Sequence, residues 1–269
     1  MLRFSGAGVT DVGVVRFHNE DSAYVSPYLA LVADGVGGAA AGEIASASAA
    51  SVVAGGVPAR PRRDPVDLLT GLVAEAARRL VVESSVDQSR AGMATTLTAL
   101  VTDGTRVAVA HAGDSRAYLM RDRRLLRVTR DHTYVQGMVD KGLISPEGAA
   151  QHPWRHVVTR SLPGGPESSP PEVGEVAVEE GDRLMLCSDG LTDVVPEPTI
   201  AEVLELSDPR SAAARLVLEA LAGGAPDNVT CVVVDVLDGP EVTGEGTRLG
   251  AFEDYGPLLA VAPEHLATS

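Results

Sequence analysis

Basic residues are in short supply in this chain of 269 residues: 22 Lys and Arg stand against 37 Asp and Glu, a formal charge of −15. That deficit excludes nucleic acid and anionic membrane as expected partners, since both are bound through cationic surface. Cysteine is almost absent. The two present, Cys187 and Cys231, lie inside apolar runs and not in a CxxC pair, so they read as buried structural thiols. Thiolate chemistry on a phosphate group is excluded too, because Asp193 stands six residues after Cys187, where an arginine would have to hold the phosphate. No run of about 18 apolar residues is available to span a membrane. The opening Met1-Leu-Arg-Phe-Ser-Gly6 lacks the apolar core of a signal peptide, and the expected location is the cytoplasm. Internal repeats are missing, and aromatic residues make up only 3%, with a single tryptophan, Trp154, expected to anchor packing.

What is present is apolar enough to fold, with 45% hydrophobic residues in a chain long enough to bury a substantial core. Short runs rich in Val, Leu and Thr predict strands at Tyr28–Ala33, Thr95–Thr102, Arg106–Ala112, Ala117–Met120, Arg183–Cys187 and Val229–Val236. Turn pairs at Asp103-Gly104 and Gly113-Asp114 link three of these into an expected antiparallel meander, which argues against a Rossmann crossover pattern. Apolar residues at steps of three and four predict helices over Asp64–Val82 and Asp208–Ala222, the latter stopped by Gly223-Gly224. A third helix, Ala39–Ala54, is built from small side chains suited to close packing. Apolar stripes of this kind need sheets to cover, so the expected fold is α+β, two stacked antiparallel sheets flanked by helices. Residues 133–166, rich in helix breakers, read as a helical flap inserted between strands. Residues 1–237 form the expected domain. Residues 238–269, with six acids against one base, read as an acidic, flexible tail in which Pro257–Val261 alone has the character to dock.

Five short acidic motifs mark the points where apolar runs give way to turns. They are Arg16-Phe-His-Asn19-Glu20-Asp21, Asp34-Gly35-Val36-Gly37-Gly38, Gly113-Asp114-Ser115-Arg116, Ser188-Asp189-Gly190-Leu191-Thr192-Asp193 and Asp227-Asn228-Val229-Thr230. Each alone is ordinary turn chemistry. Gathered at one edge of a fold, they would make a multi-carboxylate site of the kind that hard divalent cations require.

In order and spelling these motifs, with the stretch His152-Pro153 to Leu162, resemble the bacterial metal-dependent Ser/Thr protein phosphatases (PPM, type 2C). The resemblance implies an α-β-β-α sandwich and hydrolysis of phosphoserine and phosphothreonine esters by a water activated between two Mn²⁺ or Mg²⁺ ions, with a weaker third. It assigns Asp34 as the bridging carboxylate, the Gly35 carbonyl as a ligand, and Asp189 and Asp227 as ligands of the second ion. Glu20 and Asp21 are implied as holders of metal-coordinated waters, and Asp114 with Asp189 and Asp193 as the third site. Arg16 matches the arginine that grips substrate phosphate, where a guanidinium fork does what a lysine cannot. Arg116 reads as an ion-pair partner, and Asp131, in a motif at the flap entrance, as a turn or cap residue. Val36 stands where eukaryotic members carry a histidine general acid, which leaves an ion-coordinated water, His18, His111 or His132 as proton donors. The partners implied are phosphoproteins, among them Ser/Thr kinases and sigma-factor regulators, acted on by a monomer. A non-catalytic module of the same fold would be expected to lack one of Asp34, Asp189 and Asp227. An unrelated metallophosphoesterase would carry histidine metal motifs such as Gly-Asn-His-Asp, which are absent.

Overall fold

Runs of Val and Leu buried on both faces build two antiparallel sheets in the computed structural model, which describes residues 1–36, 41–57, 63–164, 169–206 and 208–259. The first sheet runs in the order β1 (Leu2–Asp11), β11 (Val229–Asp238), β10 (Arg183–Cys187), β7 (Arg116–Arg121) and β8 (Arg124–Arg127). The second runs β12 (Thr247–Gly250), β2 (Asp21–Val25), β3 (Leu29–Val36), β5 (Leu97–Thr102), β6 (Val107–Ala112) and β9 (Glu172–Val176), with β4 (Ala94–Thr95) paired to the end of β3.

Successive strand residues point to opposite faces, and here both faces are covered. Ala30 and Val32 of β3 meet Leu184 and Leu186 of β10 and Val232 and Val234 of β11 between the sheets. Their neighbours Leu29 and Leu31 turn outward against α1 (Gly42–Gly56) and α2 (Pro65–Val86). On the opposite outer face Met185, Cys187, Cys231 and Val233 lie under α5 (Asp189–Thr192), α6 (Glu197–Leu204) and α7 (Pro209–Ala222). The result is the four-layer α-β-β-α sandwich expected. Cys187 and Cys231 are cross-strand neighbours, both buried and free, and burial pushes the Cys187 thiol up to about 12.

Local sequence explains where the long helices start. Asp64 and Asp208 each accept hydrogen bonds from the next turn's backbone N–H groups, and each precedes a proline at the first helical position. The small side chains of α1 let it lie close to the second sheet, where the Ser46 hydroxyl donates to the Glu20 carbonyl at 2.6 Å. Residues 39–40 of the expected first helix lie outside the described residues; α1 itself begins at Gly42. No helix among the described residues is long and apolar enough to cross a membrane.

Two expectations fail. The meander breaks after its second strand: β5 and β6 pair, but β7 belongs to the other sheet, between β10 and β8. The chain crosses at Gly113, whose φ is +113° and whose missing Cβ would fall 2.5 Å from Thr96 Cγ2. Alternation within a strand cannot say which sheet the strand joins. The flexible-tail reading also fails for residues 247–259, where β12 pairs with β2 and α8 (Ala251–Leu259) buries Ala251, Phe252 and Leu259. A segment this short is helical because of what it packs on and not through propensity. Of the run expected to dock, Leu259 is buried, and residues 260–261 lie outside the described residues. The flap carries the helices expected, α3 (Tyr134–Asp140) and α4 (Pro146–Ala150).

Candidate active site

The antiparallel pairing of β2 with β3 sets Asp21 directly opposite Asp34, an arrangement of like charges that a sheet normally avoids. Asp21 is buried; its Oδ2 accepts from Ser188 Oγ at 2.7 Å, while its Oδ1 is buried without a hydrogen bond. The backbone of Asp34 is fixed by Thr96 Oγ1, which accepts from its N–H at 2.9 Å, and by Thr95 Oγ1, which donates to its carbonyl at 2.8 Å. Gly35 follows because nothing larger fits: a Cβ there would lie 2.5 Å from the backbone of Gly42, at the start of α1. Gly42 in turn leaves room for Glu20, whose Oε2 would be 2.2 Å from an added Cβ. Gly37 and Gly38 of the same motif lie outside the described residues.

The first sheet supplies the other side. Asp189 opens α5 directly after β10, and Asp193 closes it. Asp114 sits where the chain crosses between sheets. Asp227 precedes β11, and its neighbour Asn228 ties this turn to the N-terminal loop. Asn228 Nδ2 donates to the carbonyls of Val12 and His18, both at 2.9 Å, and its Oδ1 accepts from the Glu20 N–H at 2.8 Å. Arg16, on that loop, donates through Nη2 to Asp227 Oδ2 at 2.7 Å.

These strand ends converge on one cleft of about 640 Å³, lined by Arg16, Glu20, Asp34, Gly35, Asp114, Asp189, Asp193 and Asp227. Of the residues expected to hold metal, its waters or phosphate, only Asp21 is not part of the lining. Burial, reinforced by neighbouring carboxylates, holds Asp34 and Asp189 well above the usual carboxylate range. Burial likewise pushes Asp114 up to about 7 and Asp21 up to about 6, and it raises Asp193 and Glu20. Oxygen donors this crowded cannot all ionise unaided. The set fits hard divalent cations such as Mg²⁺ and Mn²⁺, which bind oxygen and would satisfy the unpartnered Asp21 Oδ1 directly or through water.

One ionisable residue of the cleft was missed. His156, from the flap, places Nδ1 3.4 Å from Asp193 Oδ2 and 3.9 Å from Asp189 Oδ2, and ligand atoms of the three lie within 4.8 Å of one another. The histidines weighed as proton donors do not line the cleft. His111 is buried between Thr98 Oγ1 and the Arg130 carbonyl and stacks on His132. His132 Nδ1 accepts from the Gly113 N–H, and the His18 carbonyl is tied to Asn228. The only signal for His156 was its place in the stretch His152–Leu162; its approach to α5 depends on how the flap folds over. Arg116 is the ion-pair residue expected, 2.8 Å from Asp131. Asp131 is not a cap: it also pairs with Arg127, and Thr133 caps α3 instead.

Comparison with known proteins places this geometry. The family model of protein phosphatase 2C matches residues 16–221. The serine/threonine protein phosphatase PstP of Mycobacterium tuberculosis is 42% identical over 238 residues, covering 88% of this chain and 46% of that protein. The chain thus spans about half the length of that relative. The serine/threonine phosphatase stp of Listeria monocytogenes is 33% identical, covering 84% of this chain and 93% of its own. The crystal structure of the PstP catalytic domain in complex with two manganese ions superposes with a TM-score of 0.82 at 40% identity, covering 88% of this chain and all of that one.

Proposed function

This chain belongs to the protein phosphatase 2C family, and from that premise we propose that it hydrolyses phosphoserine and phosphothreonine esters on proteins with two Mn²⁺ or Mg²⁺ ions. The observation that carries the reading is the convergence of five separate acidic turns, with Arg16, on one cleft. Asp34, the Gly35 carbonyl, Asp189 and Asp227 hold the two ions, with Asp34 between them. Glu20 and Asp21 hold their waters from the side of β2. A third, weaker site falls to Asp114, Asp189 and Asp193, with His156 added. When bound, the cations supply charge neutralisation and a water acidic enough to attack near neutral pH.

The chain's own residues do the rest. Arg16 stands at the mouth with its guanidinium already aimed at Asp227, where it meets phosphate oxygens as they enter. Asn228 holds the Arg16 loop against the β11 turn, so phosphate grip and carboxylates keep a fixed separation. Gly35 and Gly42 let α1 close against β3 without a side chain between them. The substrates proposed are phosphorylated Ser/Thr kinases and sigma-factor regulators, met by a cytoplasmic monomer.

The test is hydrolysis of p-nitrophenyl phosphate and a phosphothreonine peptide with Mn²⁺, with EDTA, and with Asp189→Asn. Activity on both with Mn²⁺, lost in the other two conditions, is expected. Undiminished hydrolysis after chelation overturns the reading.

A further inference from the structure

The loop that carries Arg16 also presents the most exposed large apolar side chain among the described residues. Phe17 is 94% exposed, and Val14 and Val15 are 58% and 60% exposed. Such exposure costs free energy in water, and in a slack loop it would mean little. This loop is not slack. The Gly13 N–H donates to Asp11 Oδ1 at 2.9 Å, the Val14 N–H to the Ala225 carbonyl at 3.0 Å, and the His18 carbonyl accepts from Asn228. A pinned backbone therefore holds Val15 and Phe17 outward on either side of the residue at the cleft mouth.

We propose that Val15 and Phe17 form the seat for an apolar side chain flanking the phosphorylated residue of a protein substrate, so that the preferred substrate class is a phosphorylated segment with a bulky apolar neighbour. The proposal rests on the phosphoester reading above and deepens it. Its occupant follows from continuity: Val15 and Phe17 are the chain neighbours of Arg16, which lines the cleft, so a chain that brings a phosphate to Arg16 comes within reach of them. Adjacent Cα atoms lie about 3.8 Å apart, and an extended peptide rises about 3.3 Å per residue, so the seat meets a residue within about three positions of the phosphorylated one. A small phosphate ester has no flanking residue to place in the seat.

The experiment compares the wild type with Phe17→Ala and with Val15→Ala plus Phe17→Ala. The substrates are p-nitrophenyl phosphate and two short phosphothreonine peptides, one with leucines flanking the phosphothreonine and its twin with serines, all with Mn²⁺. Side chains this exposed leave the fold intact, which the melting temperature checks. The wild type is expected to favour the leucine peptide about ten-fold in kcat/KM, through KM. The double variant is expected to lose that preference while its p-nitrophenyl phosphate kinetics stay within about two-fold. A preference that survives in the double variant overturns the proposal and assigns it elsewhere, with exposed Trp154 and Val157 of the flap the first place to look. Equal rates on both peptides in the wild type overturn it too, as does a wild-type dimer that the double variant converts to monomer, since a second copy would then be the occupant. If the wild type hydrolyses no substrate, the phosphoester reading falls by itself. Peptide binding then decides the seat: weaker binding of the leucine peptide by the double variant supports it, and equal binding removes it.

Discussion

Arg16 Nη2 lies 2.7 Å from Asp227 Oδ2, so the guanidinium at the cleft mouth is already paired with one of the carboxylates proposed to hold a cation. The two side chains are about half and over one third exposed, and exposed pairs of this kind add little to stability. The pair is therefore free to exchange: under the proposed function Asp227 would turn to a cation and Arg16 to an arriving phosphate without a folding cost.

Replacing Arg16 by alanine should leave the melting temperature unchanged and lower kcat/KM about ten- to a hundred-fold, mainly through KM, as expected for a lost charged hydrogen bond of roughly 1.5–3 kcal/mol. Arg16→Lys should recover only part, since a point charge lacks the fork. Steady-state kinetics on a phosphopeptide read both. Wild-type values for Arg16→Ala would leave Arg16 as a surface residue.

Asp34→Asn should separate activity from stability. Turnover is expected to fall on the order of a thousand-fold, because the proposed cation site would lose the carboxylate assigned to its centre. The EDTA-treated variant should melt above EDTA-treated wild type, since an amide removes the cost of burying a carboxyl group beside Asp21 and Asp189. Kinetics with saturating Mn²⁺ and thermal melts check the two halves separately.

The stability of the metal-free protein should fall as pH rises. Asp21 and Asp114 are pushed up to about 6 and about 7 from an ordinary value of 3.8. The folded chain therefore holds these protons more tightly than the unfolded one. Their contribution is complete below the unfolded value and is lost as pH climbs through the folded ones. Between about pH 5 and pH 8 the melting temperature in EDTA should drop by about 5 °C. Saturating Mn²⁺ should flatten or reverse that slope, because cations bind the ionised form. A flat profile in EDTA would mean these carboxylates are not strained when charged.

Truncation after Asp238 should destabilise the domain. Phe252 is buried against Tyr24 of β2, and Gly250 approaches so closely that a Cβ would sit 2.2 Å from the Asp21 carbonyl oxygen. Phe252→Ala is expected to cost about 3 kcal/mol, a fall of roughly 6–12 °C in melting temperature. Truncation should also weaken Mn²⁺ binding by calorimetry, since β2 loses the edge partner beside Asp21. Unchanged melting and metal affinity would return residues 239–269 to the status of a tail.

Much of the candidate site's lining was legible in the chain. Asp34, Asp189 and Asp227 stand at the ends of apolar runs, and a run buried on both faces tells where a strand ends and its turn begins. The caps at Asp64-Pro65 and Asp208-Pro209 are spelled in neighbouring residues, as is the glycine demand at Gly35. Such features are local: the residue types that satisfy a turn, a cap or a buried strand sit within a few positions of one another. Tertiary structure alone decided which sheet β7 joins, that Gly113 carries Asp114 across to the other layer, and that β12 and α8 return to cover β2 and α1. It also decided that His156 reaches Asp193, and that Asp227 holds Arg16. Each depends on a pairing between segments far apart in sequence, where the choice of layer and partner is made collectively by packing, and no single residue encodes it.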